Sequence, residues 1–286
     1  MPTIGELYSS SLADCKKYDL LSSDVRILLA HDEGLAEQID VIYSRDKEMA
    51  HPVLFAEQMK RLKNGEPVEY IINEASFLQH KLYVDNRVLI PRSETEELVA
   101  NITEKISDYF DPRNYLVCAD IGTGSGAIAI ALKSAFPHWV MMASDISKGA
   151  LEVAKKNFTS TATQCQLVEG DALAPYIEGK THLDILVSNP PYILNKEDAQ
   201  VSVRDYEPSS ALWLDKSKSV YESIFRDCYK VKKGALFMAF EISPDLVEWL
   251  TSLMEKYLHN YTYEFTDDLN KNKRFLFVLL KEDNNA

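Results

Sequence analysis

The chain has 286 residues, 46% of them hydrophobic, and a formal net charge of −13. That length and apolar share support a large core plus a smaller one and match a soluble globular protein. The acidic excess works against non-specific nucleic-acid binding, which depends on Lys and Arg neutralising phosphates.

The N-terminus MPTIGELYSS has neither the basic segment nor the apolar core of a signal peptide, and no apolar run approaches a membrane span, so a cytoplasmic chain with no membrane partner is expected. Residues 1–75 are predicted to form a small helical bundle. In SSDVRILLAHDEG, Ser22 or Ser23 is the expected cap for a helix carrying Val25, Leu28 and Leu29 and ending at Gly34. HPVLFAEQMKRLKNG places Pro52 in a first helical turn, spaces Leu54, Phe55, Met59 and Leu62 along it, and stops at Asn64–Gly65.

The period then changes. Residues 76–92 are expected to form a hairpin linker that turns at Asp85–Asn86, with Phe77, Leu82 and Val84 before it and Val88 and Ile90 after it. Ser93 with Glu96 three residues on predicts a capping box, followed by a helix with Leu98, Ile102 and Ile106 on one face. From there, 93–286 is expected to be the second domain. Its strand candidates are YLVCADI, WVMMASDI, CQLVEGD, LDILVSN, ALFMAFEI, YTYEFT and RFLFVLL. Helix-length spacers separate the first five, as right-handed β-α-β units require, and a short loop joins the last two. The prediction is an α/β fold: a doubly wound, mostly parallel, seven-stranded sheet with a C-terminal antiparallel hairpin.

Cys15, Cys118, Cys165 and Cys228 are far apart with no C-x-x-C pair, and the six histidines are scattered, so neither a disulfide framework nor a metal site is expected. The basic clusters at Lys230–Lys233 and Lys271–Arg274 are read as solvated turns, and the tail KEDNNA as frayed.

Two segments carry chemistry. After the first strand of the sheet, DIGTGSGAIAIAL places glycines at 122, 124 and 126, where a backbone meets a ligand closely at a helix N-terminus. Nineteen residues past Gly126, Asp145 ends the next strand, in position for a ribose diol, and Asp171, read as the end of the third, is in position for an adenine amino group. Gly122-x-Gly124-x-x-Ala127 also satisfies the dinucleotide fingerprint of a nicotinamide dehydrogenase, so the glycine turn leaves the nucleoside-bearing ligand open. The run headed by Asp120 resembles the first motif of S-adenosylmethionine-dependent methyltransferases.

The second segment, SNPPYI, decides between these readings. Asn189-Pro190-Pro191-Tyr192 ends the fourth strand, across the crevice from the glycine turn. An amide nitrogen is a poor nucleophile because its lone pair is delocalised, a resonance that also sets the ~18–20 kcal/mol barrier to peptide rotation. The Asn189 side-chain oxygen and the Pro190 carbonyl supply two acceptors for its N–H groups. The rigid prolines aim them, and Tyr192 offers a ring to stack on a flat target. A dehydrogenase has no use for this arrangement.

The same segment serves amino-group DNA methyltransferases and protein-glutamine N5-methyltransferases. With GEPVEYI (65–71), LIPRSETEELV (89–99) and VRDYEPSSAL (203–212) added, the chain resembles the HemK/PrmC family over nearly its whole length. The resemblance implies a class I, Rossmann-like methyltransferase domain using S-adenosylmethionine, and a helical N-terminal domain that binds the partner. It implies methylation of the glutamine in the Gly-Gly-Gln motif of class 1 peptide chain release factors; a monomer is expected, and the net charge of −13 sets the expectation of no direct nucleic-acid binding. A DNA amino-methyltransferase and a ribosomal-protein glutamine methyltransferase are the alternatives. Position by position it implies cofactor contacts at Gly122, Thr123, Gly124, Ser125, Gly126, Asp145 and Asn189, and substrate contacts at Asn189, Pro190, Pro191 and Tyr192. Arg92 and Glu94 fall in the segment that packs over the cofactor side.

Three departures stand out. Ala172, at the cofactor position after Asp171, replaces an aromatic residue. Ser243 replaces a glycine within EISPDLVEWL, and WLDKSKSVY replaces a glycine-bearing segment.

Overall fold

In a computed structural model the chain divides into two compact units, Met1–Glu74 with Gln200–Tyr206, and Ala75–Ala199 with Glu207–Ala286. The structure describes residues 1–195, 197, 200–215 and 219–282. The end of the tail and residues 216–218 of WLDKSKSVY lie outside the described residues.

The first unit is helical: α1 (Ile4–Tyr18), α2 (Ser22–Asp32), α3 (Asp40–Tyr43), α4 (Pro52–Lys63), α5 (Val68–Ile72) and, from later in the chain, α10 (Val201–Tyr206). A capping box starts α1: the Thr3 hydroxyl accepts the Glu6 N–H at 3.2 Å, and the Glu6 carboxylate accepts the Thr3 N–H at 2.8 Å. The expected serine cap of α2 is absent, because Ser22 is already helical and Leu21 occupies the cap position without a side-chain bond. Pro52 does open α4, and Gly65 leaves it at φ +88°. The buried face of α4 carries Phe55, Met59 and Leu62, whereas Leu54 points outward. These side chains pack with Ile4, Val25, Leu28 and Leu29 into a separate core. The Tyr206 hydroxyl of α10 donates to the Asn64 carbonyl at 2.9 Å.

The second unit begins with a short antiparallel hairpin, β1 (Ala75–Phe77) and β2 (His80–Leu82), which turns at Leu78–Gln79 rather than at Asp85–Asn86. Asp85 does make a turn, accepting the Arg87 N–H at 3.1 Å and the Arg87 guanidinium, but no strand follows it. Then come α6 (Ser93–Lys105), β3 (Val117–Ile121), α7 (Ala127–Ala135), β4 (Val140–Asp145), α8 (Lys148–Ser160), β5 (Cys165–Glu169), α9 (Ala174–Glu178) and β6 (Leu183–Ser188). The order closes with α11 (Ser209–Leu212), α12 (Val220–Asp227), β7 (Lys232–Glu241), α13 (Val247–Tyr257), β8 (Tyr261–Asp267) and β9 (Lys273–Leu280). The capping box expected at Ser93 does not form: Arg92 is the cap residue, and Glu96 instead accepts the Leu78 N–H of the hairpin turn at 2.6 Å.

Seven strands lie in the order β5-β4-β3-β6-β7-β9-β8, parallel from β5 to β7, with β9 antiparallel to both its neighbours. The class is as expected. Strand residues alternate between two cores: Phe237, Ala239, Phe275 and Phe277 face α6 and α7, while Met238, Phe240, Leu276 and Val278 face α12 and α13. Burial on both faces is why these strands read as nearly unbroken apolar runs. Among the described residues no helix is long and apolar enough to cross a membrane, and all four cysteines are free thiols.

Candidate active site

The chain from β3 goes to one side of the sheet through β4 and β5, then crosses back to β6 on the other. Helices therefore leave β3 and β6 on opposite faces, and a crevice opens between their carboxyl ends. A cleft with about 1030 Å³ of empty space, part of it open to solvent, occupies this position. It is lined by Gly122, Thr123, Gly124, Ser125, Asp145, Asp171, Ala172, Asn189, Pro190 and Pro191 among others. Segments distant in sequence meet here. Gly126 and Tyr192 are not part of the lining.

The glycine turn is built by backbone conformation. Gly122, Gly124 and Gly126 all take positive φ, at 73°, 54° and 85°. A Cβ at Gly122 or Gly124 would meet no protein atom within 4 Å, so the room there is open to a ligand. Gly126 differs: a Cβ would come within 2.6 Å of the Phe158 ring, which locks the start of α7 against α8. The Gly122 and Thr123 N–H groups donate to the Ser144 carbonyl at 2.8 and 2.9 Å, pinning the turn to β4. Fully buried Asn157 closes it from behind, donating to the Ser125 and Tyr83 carbonyls and accepting the Tyr83 N–H.

Three carboxylates face this half. Asp120 has no exposure; burial lifts its pKa from 3.8 to about 7, opposed by the Thr123 hydroxyl bonded at 2.6 Å. Asp145 is also raised by burial, against the Ser147 and Gly124 N–H groups that it accepts at 2.8 and 3.0 Å. Asp171 is exposed and lies two residues beyond β5, which ends at Glu169, rather than on the strand. Ala172 is buried at φ +45°, a left-handed conformation that an alanine adopts at a cost.

The other half is built from side chains. The Asn189 Nδ2 donates to the Thr95 hydroxyl at 3.1 Å, Thr95 donates to Glu241 Oε2 at 2.7 Å, and the Tyr192 hydroxyl donates to Glu241 Oε1 at 3.1 Å. Burial pushes the Glu241 carboxyl from 4.5 up to about 6. The Arg274 guanidinium lies 5.8 Å from the Tyr192 ring centroid and donates to the Ile242 carbonyl and Asp268. This corrects the reading of Lys271–Arg274 as a wholly solvated turn: Arg274 is on β9, held between Asp268 and the aromatic ring.

Sequence reading missed Thr95, Glu241 and Arg274, and also Ile146, an exposed apolar residue of the cleft directly after Asp145. Leu89 and Pro91 of the LIPR segment line the cleft, while Arg92 pairs with the buried Glu207 carboxylate, whose other oxygen accepts the Ile90 N–H at 3.2 Å, so the LIPR and YEP segments hold each other. Glu94 bonds the neighbouring Ser93. Ser243 sits at φ −91°, so its position has no need of a glycine.

The sheet order, the glycine turn at the switch point and the polar-Pro-Pro-aromatic segment beside it define a class I methyltransferase. Residues 98–206 match the model of the Methyltransferase small domain family. A methyltransferase from Pyrococcus furiosus has a similar solved fold, with TM-score 0.50 and 13% identity over 80% of this chain and all of that one (100%). The release factor glutamine methyltransferase of Bacillus subtilis is 34% identical over 90% of this chain and 91% of its own length. Its Staphylococcus aureus counterpart is 35% identical over 76% and 77%. The chain belongs to the release factor glutamine methyltransferase family.

Proposed function

We propose that this enzyme transfers a methyl group from S-adenosylmethionine to the side-chain amide nitrogen of the glutamine in the Gly-Gly-Gln motif of a class 1 release factor. The observation that carries the reading is the placement of Asn189-Pro190-Pro191 on the wall of the same cleft as the glycine turn. The open room above Gly122 and Gly124 fits the cofactor. Gly122, Thr123, Gly124 and Ser125 would hold it through backbone, with Gly126 shaping the turn. Asp145 would take the ribose hydroxyls and Asp171 the adenine amino group, with Ala172 beneath and Asn189 on the far side. When bound, the cofactor supplies an electrophilic methyl group.

The protein's part is positional. The Asn189 side-chain oxygen and the Pro190 carbonyl accept the two amide N–H groups, favouring a nitrogen whose lone pair is free to react. Pro191 keeps the carbonyl from turning. The Tyr192 ring, fixed by Glu241 on its hydroxyl, would back the Asn-Pro-Pro wall from behind, since it is not itself part of the cleft lining. Near-attack positioning of this type contributes up to ~7–11 kcal/mol. No strong base is needed, because the nitrogen loses its proton after methyl transfer.

We assign partner docking to the helical unit, supported by its exposed apolar residues Tyr43 and Val53. A cytoplasmic monomer that leaves nucleic acid alone accords with the net charge of −13.

The test is methyl transfer from labelled S-adenosylmethionine with a release factor, its Gly-Gly-Ala variant and duplex DNA offered in parallel. Label on the Gly-Gly-Gln glutamine, absent from the variant, is expected. Label on DNA alone would overturn the substrate assignment.

A further inference from the structure

The glutamine pocket works only with the Asn189 amide the right way round: its oxygen must face the substrate, because its amino group would repel the N–H groups it is meant to receive. The hydrogen bond made by the Asn189 amino group runs out of the Asn-Pro-Pro-Tyr segment, to Thr95. The determinant lies two hydrogen bonds away. Glu241, at the end of β7, is buried with no exposure, and each of its oxygens takes one hydroxyl, from Thr95 at 2.7 Å and Tyr192 at 3.1 Å. An ionised carboxylate only accepts. Thr95 therefore gives its single proton to Glu241, and its oxygen is left as an acceptor. The donor it finds is Asn189 Nδ2 at 3.1 Å. With the amino group committed there, the carbonyl oxygen is the end of the amide left for the cleft.

We propose that Glu241, acting through Thr95, is the positioning residue that turns the Asn189 oxygen toward the substrate amide, while the same carboxylate fixes the Tyr192 ring. The inference rests on the reading of Asn189 as an acceptor for the target glutamine. Burial works against the ionised form of Glu241 that the relay needs, and Glu94 adds to it, while the Thr95 and Tyr192 hydroxyls and Arg274 favour that form. A leucine at 241 would take away the acceptor altogether: Thr95 is then free to give its proton to the Asn189 oxygen, and nothing holds the Asn189 amino group away from the cleft. Thr95 and Glu241 are 146 residues apart, and both are buried.

The experiment compares Thr95→Val, Thr95→Ser and Glu241→Leu with Asn189→Ala, measuring kcat and KM on a purified class 1 release factor and cofactor affinity by calorimetry. Thr95→Val keeps the shape but removes the hydroxyl, and is expected to lower kcat roughly tenfold or more with cofactor affinity within about threefold. Thr95→Ser restores the relay and most of the turnover, and Glu241→Leu falls with Thr95→Val. Wild-type kcat in Thr95→Val or Glu241→Leu, beside a crippled Asn189→Ala, overturns the relay and leaves the proposed function standing. Full turnover in Asn189→Ala overturns the reading beneath it. The Asn189 side-chain amide in the nitrogen-15 spectrum of the unmutated protein is independent of how the variants fold. A slowly exchanging proton supports the bond to Thr95, and a freely exchanging pair overturns it.

Discussion

The two walls of the cleft are made by different means. The glycine-turn wall is local and main-chain: three residues at positive φ, N–H groups tied to Ser144, and one acid, Asp145, that holds the turn through the Gly124 N–H. The asparagine wall is long-range and side-chain: Asn189, Thr95, Glu241 and Tyr192 come from three segments and fix one another. A main-chain wall is shaped by conformation and accepts many side chains nearby. A side-chain wall depends on each member and on the order of its protons.

Four substitutions break or sharpen this contrast. The largest effect is expected on the side-chain wall: Asn189→Ala should lower turnover on the order of a hundredfold or more while cofactor affinity stays within a few fold. Kinetics beside calorimetry would show it, and unchanged turnover would end the amide-acceptor mechanism. On the main-chain wall the damage should appear as lost stability. Gly126→Ala combines a φ of +85° with a 2.6 Å approach to Phe158, so a loss of roughly 2–4 kcal/mol in denaturant unfolding is expected.

Asp120→Asn separates charge from shape beneath the same turn. A folded-state pKa raised from 3.8 to about 7 means that the folded chain holds this proton more tightly than the unfolded chain. Its stabilising contribution is whole below about pH 4 and is lost as pH rises through 7, an effect of at most about 4 kcal/mol. The ligand-free Asp120→Asn protein should therefore melt with a flatter pH dependence between pH 4 and 7 than the parent, and an equal slope in both would refute the assignment. The smallest effect is expected at Gly122, where a methyl group meets no protein atom. Gly122→Ala should cost about 1 kcal/mol of stability, from φ alone, yet weaken the cofactor more than it weakens the fold. An unaltered cofactor affinity would show that the room above Gly122 is not used.

What was legible in the sequence follows the same division. The inner strands β3, β4, β6, β7 and β9 were readable because a sheet covered on both faces demands apolar runs such as LDILV and ALFMAF, whereas β5 and β8 are partly exposed edge strands. The glycine turn and Asp145 were readable because their interactions fall within a strand-turn-helix unit and the strand beside it. Asn189 and its prolines stood out because two rings at a strand end have few other uses. The failures were choices of partner. Ser93 and Glu96 have capping-box spacing, but Glu96 is drawn to Leu78 in the hairpin turn, and Asp85–Asn86 makes a true turn with no strand after it. Thr95 and Glu241 gave no signal, since a buried threonine and a strand-end glutamate are unremarkable until the fold brings them within 2.7 Å.

The course of the chain between its units bears on how the protein is made. Helices α1 to α5 leave a ribosome before the strands of the second unit, yet α10, whose Tyr206 hydroxyl donates to the Asn64 carbonyl, follows only after β3 to β6 have been synthesised. The first unit therefore stays unfinished while much of the second is already emerging. A nascent or truncated chain stopped before residue 200 contains every residue of 1–74 but lacks α10, so the set of residues that makes up the first unit is complete only once β3 to β6 have been made.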